Sequence, residues 1–179
     1  MRVFTVAAGI GIVLAACARP ATPPSAPGTV TEDAAVWSAV LREKVKSDES
    51  RTIVLRDATV PPFTLDSLRR LTLGSELVRA LSEANARSGP VRGPFSLPNR
   101  VVLVSPKARD HEWSRLRDKY PDAGGVIAVS LPGYDAGRTR AIVYMAYDCG
   151  FLCGEGTMVV LARDTGGWRV EKSFGLWIS

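Results

Sequence analysis

The sequence predicts an α+β domain in which N-terminal helices with two isolated strands precede a four-stranded antiparallel meander. Apolar residues recur at helical spacing between Asp33 and Lys46 and again between Ser75 and Arg87. Short aliphatic runs stand at Thr52–Leu55 and Val101–Val104, each too short for a helix. After Gly124, four strand-like segments follow one another, separated by turns rich in Gly and Asp. Helices early and strands late indicate α+β.

Along the chain, Thr31, Glu32 and Asp33 suit a helix N-terminus, and Val36, Trp37, Val40, Leu41 and Val45 supply the apolar face of a helix over Asp33–Lys46. Arg51 to Ala58 reads as a strand, and Pro61-Pro62 ends the pattern. A short helix is expected from Leu65 to Leu73 and a better one from Ser75 to Arg87, with Leu77, Leu81 and Ala84 on one face. Ser88 to Asn99 is a Gly- and Pro-rich loop, and Arg100 to Ser105 a buried strand. Asp110 can cap a helix carrying Trp113, Leu116 and Tyr120, which Pro121 stops. The meander then comprises Gly125–Leu131, Thr139–Asp148, Gly156–Arg163 and Trp168–Phe174. In the second of these, Ala141, Val143, Met145 and Tyr147 share one face and Ile142, Tyr144, Ala146 and Asp148 the other. Both faces are largely apolar, so that strand is expected in the interior of a sheet. The order of elements resembles cone-shaped folds of the NTF2-like or cystatin-like kind, which implies a curved sheet wrapped around helices and a pocket between them.

Residues 1–16 read as a removable signal. Arg2 is followed by the apolar run Val3–Leu14, which is well short of the ~20 residues needed to cross a bilayer as a helix. Leu14-Ala15-Ala16-Cys17 resembles a lipobox, at which bacterial lipoproteins are cleaved before the cysteine. That resemblance implies acylation of Cys17, with diacylglycerol and palmitate-type chains holding the protein to a membrane. Residues 17–30 form a tether containing Pro20, Pro23, Pro24 and Pro27. At ~3.1 Å per residue of extended chain, Ala18 to Val30 gives a standoff of about 40 Å. Residues 31–179 form a single domain, large enough to bury a core without metal or disulfide staples. The expected location is outside the cytoplasm, on the periplasmic face of the outer membrane if the cell envelope has one.

The chain carries a formal net charge of +5, spread rather than clustered. Its nearest approach to a basic stripe is Lys107–Lys119, where Asp110, Glu112 and Asp118 interrupt the cations, as on a solvated helix face. No nucleic-acid partner is expected. His111, the sole histidine, opens that helix and has no readable Ser partner for a hydrolase triad. The tryptophans at 37, 113, 168 and 177 are expected to fill the core, with room for one or two to line a pocket.

The most unusual stretch is Cys149-Gly150-Phe151-Leu152-Cys153-Gly154-Glu155-Gly156. With Cys17 acylated, Cys149 and Cys153 are the two remaining thiols, and in an oxidising compartment a pair facing across a hairpin is expected to form a disulfide. Closing so short a loop contributes only ~2 kcal/mol. A redox pair is the poorer reading, because the spacing is not C-x-x-C and no helix N-terminus is expected beside either thiol. A metal site needs further ligands, for which Asp148 or Glu155 would have to serve. As an acid–base pair, Asp148 and Glu155 have no support beyond flanking one turn. No cofactor and no catalytic residue is expected.

Tyr120-Pro121, Gly124-Gly125, Ser130, Gly133-Tyr134-Asp135, Thr139–Tyr144, the Cys149–Gly156 run, Gly167-Trp168 and Trp177-Ile178-Ser179 together resemble a pattern in uncharacterised exported bacterial proteins, many of them lipoproteins. Asp135 stands where that pattern has Asn, with the same turn chemistry. The resemblance implies one compact domain ending with the last strand and transfers no activity. The expected function is therefore a membrane-anchored envelope lipoprotein that binds an envelope protein or small ligand. The alternatives are an envelope enzyme with a pocket near the Cys149–Cys153 hairpin and an inhibitor or immunity-type protein.

Overall fold

The computed structural model describes residues 29–46, 48–62, 74–105 and 112–179. The residues read as a signal, Cys17, most of those read as a tether, the short helix expected over Leu65–Leu73, and Asp110 and His111 lie outside the described residues. The elements are α1 (Val30–Val45), β1 (Ile53–Arg56), α2 (Ser75–Ala84), β2 (Val101–Val104), α3 (Glu112–Lys119), β3 (Val126–Val129), β4 (Gly133–Tyr134), β5 (Arg140–Gly150), β6 (Cys153–Asp164) and β7 (Gly167–Ile178). Helix α1 begins before the expected Asp33 because Thr29 caps it: its side chain accepts from the Glu32 N–H at 3.2 Å. Glu32 and Asp33 then fall in the first turn, where the helix dipole favours negative charge.

The domain is α+β, but its two early strands are not isolated. All seven strands among the described residues form one mixed sheet in the order β2-β1-β3-β5-β6-β7, with β4 pairing along β5 beyond β3. β1 lies between β2 and β3 and is parallel to both, with Val54 opposite Val102 and Val126. The reason is burial. Ile53, Val54 and Leu55 are all buried, so both faces of β1 need cover and both edges need partners. Its partners lie far along the chain, each reached through a segment carrying a helix, as parallel crossovers require.

The helices divide between the two faces. Trp37, Val40 and Leu41 of α1 pack with Leu55, Val129, Val143 and Leu161 on one face. The other face carries two separate clusters. Leu77 and Leu81 of α2 meet Ile142, Tyr144, Met158 and Val160, whereas Trp113 of α3 and Tyr120 meet Val54 and Val126.

Between β3 and β4, the wholly buried Ser130 completes the ladder with its side chain. Its N–H donates to the Tyr144 carbonyl at 2.9 Å, and its hydroxyl accepts from the Tyr144 N–H at 2.9 Å. Its own carbonyl accepts from Trp37 Nε1 at 2.9 Å, which fixes α1 to the sheet. Asn85, after α2, accepts from the Leu131 N–H at 2.8 Å and donates to the Leu131 carbonyl at 2.9 Å, which fixes the opposite side of the same link.

The hairpin expected to turn between Asp148 and Gly156 turns instead at Phe151-Leu152, with the ladder running on to Gly150 opposite Cys153. Gly150 has φ +114°, which suits the sharp reversal. The glycines that read as turn residues therefore lie largely within strands. β7 is also longer than expected and holds two irregularities in its pairing with β6. In the second, Gly175 faces Thr157 and Trp177 faces Gly156, leaving Leu176 as the extra residue of a bulge.

Candidate functional site

Residues facing each other across strands place one row of side chains on the α2/α3 face. Leu55 pairs with Ile127, so Arg56 stands level with Ala128 one step further on. Ala128 faces Ala146, Ala146 faces Gly156, and Gly156 faces Trp177. The row thus has Arg56 at one end, Trp177 at the other and only Ala, Ala and Gly between them. The adjoining rows carry bulk. Val126 faces Asp148 on one side, while Tyr144, Met158 and Phe174 align on the other. Small side chains between tall rows make a trough, which among the described residues lies in the gap between the α2 and α3 clusters.

The result is a cleft of about 410 Å³, within the range of small-molecule sites. Its apolar lining includes Val60, Pro61, Val126, Ala128 and Ala146, and its polar groups include Arg56, Tyr144, Asp148 and Ser179. Trp177 forms the end wall. A Cβ on Gly156 would overlap Trp177 Nε1, and one on Gly154 would lie 3.2 Å from its Cζ3, so the indole lies across the space these glycines leave. Trp177 Nε1 donates to the Tyr144 hydroxyl at 3.0 Å. Burial raises the Tyr144 phenol above its ordinary value, an effect the Trp177 hydrogen bond opposes. With one lone pair engaged by the indole, the phenol keeps its own O–H as a donor.

The chain has no match among protein-family models, curated proteins or solved structures.

Cys149 and Cys153 are brought together at disulfide-bonding distance, with Cα atoms 5.1 Å apart. They are not directly opposed as expected: Asp148 faces Gly154 and Gly150 faces Cys153, so Cys149 is the extra residue of a bulge. The bulge turns its side chain toward β6. Phe151 and Leu152, enclosed by this link, are 95% and 75% exposed, and Leu152 has φ +53°.

Asp148 and Glu155 diverge. Asp148 accepts from the Gly150 N–H at 2.9 Å at the cleft rim, whereas Glu155 ion-pairs with Lys44 of α1 at 2.5 Å. Lys44 also lies 4.1 Å above the Tyr147 ring. Among the described residues no group of three or more His, Cys, Asp or Glu side chains is placed to hold a metal ion. Among them too, no helix is long and apolar enough to cross a membrane.

Of the four tryptophans, Trp37, Trp113 and Trp168 are buried in the core, and Trp177 lines the cleft. Arg56, Tyr144, Ala128 and Ala146 did not stand out in the sequence as site residues. Strand alternation places Arg56 on the face of Val54, but only the pairing register aligns it with the small-residue row.

Proposed function

We propose that the protein is an exported lipoprotein, anchored through an acylated Cys17, whose domain is a non-enzymatic binding module for a small ligand. The supporting observation is the row Arg56–Ala128–Ala146–Gly156 ending at Trp177, which shapes a cleft of about 410 Å³. Apolar walls with a few polar groups at the ends are what a binding site needs to hold and orient a small molecule. In this reading β3, β5, β6 and β7 act as the four-stranded meander that NTF2-like or cystatin-like cones curl around a pocket. The Cys149–Cys153 link acts as a clip on the hairpin beside the cleft. The lipobox-like Leu14-Ala15-Ala16-Cys17 supports the anchor, and the proline-rich segment after it supports a domain standing clear of the membrane.

The two parts are tested separately. Cys17→Ser is expected to move the protein from the membrane fraction to the soluble fraction; retention in the membrane would refute the anchor. Native mass spectrometry of protein released from its own envelope is expected to show a bound small molecule that Ala146→Met, which fills the trough, excludes. An identical adduct on both proteins would refute the cleft as its site.

A second reading is favoured by the hairpin tip. Phe151 and Leu152 are exposed, and Leu152 holds a backbone conformation that costs a leucine about 1–2 kcal/mol. An apolar tip retained at that cost suits insertion into a pocket of a partner protein, as an inhibitor or immunity-type protein would do.

A further inference from the structure

We propose that the cleft takes an organic ammonium ligand, with its cationic head between the Asp148 carboxylate and the Trp177 indole and its apolar body laid over Ala146 and Ala128. The inference rests on the reading of the cleft as a ligand site and adds the charge, chemical class and orientation of its occupant.

The head site follows from one cross-strand pair. Asp148 on β5 faces Gly154 on β6, and both line the cleft. The Gly154 N–H and carbonyl are both engaged by Ser179 on the other side. Gly154 therefore meets Asp148 as the close, non-hydrogen-bonded kind of pair, in which Cβ positions stand about 5 Å apart. Gly154 leaves its own Cβ position empty, and Trp177 Cζ3 lies 3.2 Å from it. The carboxylate and the six-membered ring of the indole thus border one spot at the end of the cleft. The indole lies across Gly154 and Gly156, so the face turned from the backbone is the one the cleft meets.

The sign of the head follows from these two groups. Asp148 Oδ1 accepts from the Gly150 N–H, and among the described residues no cation pairs with this carboxylate. An ionised carboxylate offers about four acceptor positions, so it can take a further donor. The face of an indole attracts a cation more strongly than any other aromatic side chain does. The indole N–H is turned away to the Tyr144 hydroxyl, so it offers no donor that would favour an anion here. Arg56, at the far end, has a partner of its own within the protein and serves only as wall. A metal ion is the poorer fit. Hard cations take about six oxygen ligands, and among the described residues no group of three or more His, Cys, Asp or Glu side chains is placed to supply them.

The rest of the cleft sets the body. From β6 across β5 to β3 is two strand spacings of ~4.8 Å, or about 10 Å. Over that span the floor is Ala146 and Ala128, one methyl each, with Val126 alongside. A flat apolar group of ring dimensions fills it.

The test uses the whole chain carrying Cys17→Ser and a matched pair of ligands. One is (naphthalen-2-ylmethyl)trimethylammonium; the other is naphthalen-2-ylmethanol, the same rings without the charge. Binding is followed by calorimetry and by the Trp177 indole N–H resonance. Both are expected to bind saturably at one site, the ammonium roughly tenfold more tightly, which is the scale of one desolvated cation–π or charged contact. The chain's own charge of +5 works against such a preference, so overall attraction cannot produce it. Asp148→Asn keeps an oxygen for the Gly150 N–H and is expected to abolish most of the preference. The alcohol should bind that variant as before, which also shows that it is folded. Trp177→Leu is expected to narrow the preference as well. Equal binding of the two ligands by the parent protein would overturn the cation assignment and leave the cleft reading intact. A full preference that survives Asp148→Asn or Trp177→Leu would overturn the placement of the head. Failure of both ligands to bind would overturn the cleft reading and the inference with it.

Discussion

Trp177 lies across Gly156 and donates its indole N–H to the hydroxyl of Tyr144 at 3.0 Å. A side chain at position 156 must displace the indole, since even a Cβ overlaps Nε1. Gly156→Ala is therefore expected to cost about 1–3 kcal/mol, the range for overpacking a close contact. The Trp177 indole N–H resonance should shift as its hydrogen bond is lost. Unchanged urea unfolding together with an unchanged resonance would show that the indole does not rest on this glycine.

Ser130 carries a second requirement for Tyr144, through the backbone. Its hydroxyl is the acceptor for the buried Tyr144 N–H at 2.9 Å. Ser130→Ala leaves that N–H without its partner, and a loss of about 1–3 kcal/mol is expected. Hydrogen exchange at Tyr144 should accelerate more than at its neighbours on β5; protection equal to theirs would count against the assignment.

Asp33 is buried and accepts from the Tyr134 hydroxyl at 2.7 Å. Burial raises its carboxyl above the ordinary value, although Tyr134 and Arg138 pull it down. A raised carboxyl binds its proton more readily folded than unfolded. Its favourable contribution is therefore present below the unfolded value of about 3.9 and lost as pH rises through the folded value. Asp33→Asn, which keeps an oxygen for Tyr134, is expected to gain stability relative to the parent at pH 7 and to lose that gain near pH 3. Urea unfolding of both proteins across this range checks the sign; a gain in acid that vanishes at neutrality would reverse it.

The Cys149–Cys153 link closes a short loop, so replacing both cysteines by Ser is expected to cost only about 2 kcal/mol. The unreduced protein should take up no alkylating label at either cysteine. Full labelling at both positions would show that the pair is not oxidised.

Leu152 sits in the left-handed region at φ +53° and is 75% exposed. Leu152→Asn, which tolerates that conformation, is expected to raise stability by about 1 kcal/mol. A loss of stability on thermal unfolding would mean that the leucine makes contacts outweighing its backbone cost.

What the sequence made legible was local. The helical spacing of Val36, Trp37, Val40 and Leu41 located α1, and the alternation along Ala141–Asp148 sorted β5 correctly between its two faces. Pairing was not legible, because register is set between segments far apart. Val101–Val104 reads as a strand from its aliphatic side chains, but nothing in them says that it lies parallel beside Ile53–Arg56. The cleft was hidden for the same reason. Ala128, Ala146 and Gly156 are ordinary small residues until the ladder sets them side by side. Gly154 misled more actively: it reads as part of a turn, and its use, with that of Gly156, is to let an indole approach the backbone.

The insertion of β1 between β2 and β3 also bears on how the chain assembles. β5, β6 and β7 are joined by tight turns and can pair as soon as they meet, whereas β1 needs Val101–Val104 on one side and Val126–Val129 on the other. Contacts of such separation in sequence form slowly, because a long loop must close before any of them is made. The first strand to emerge is thus among the last to be enclosed. In the interval its Ile-Val-Leu run lacks both neighbours, and that run is expected to be the part of the unfinished sheet most prone to pairing with the wrong strand.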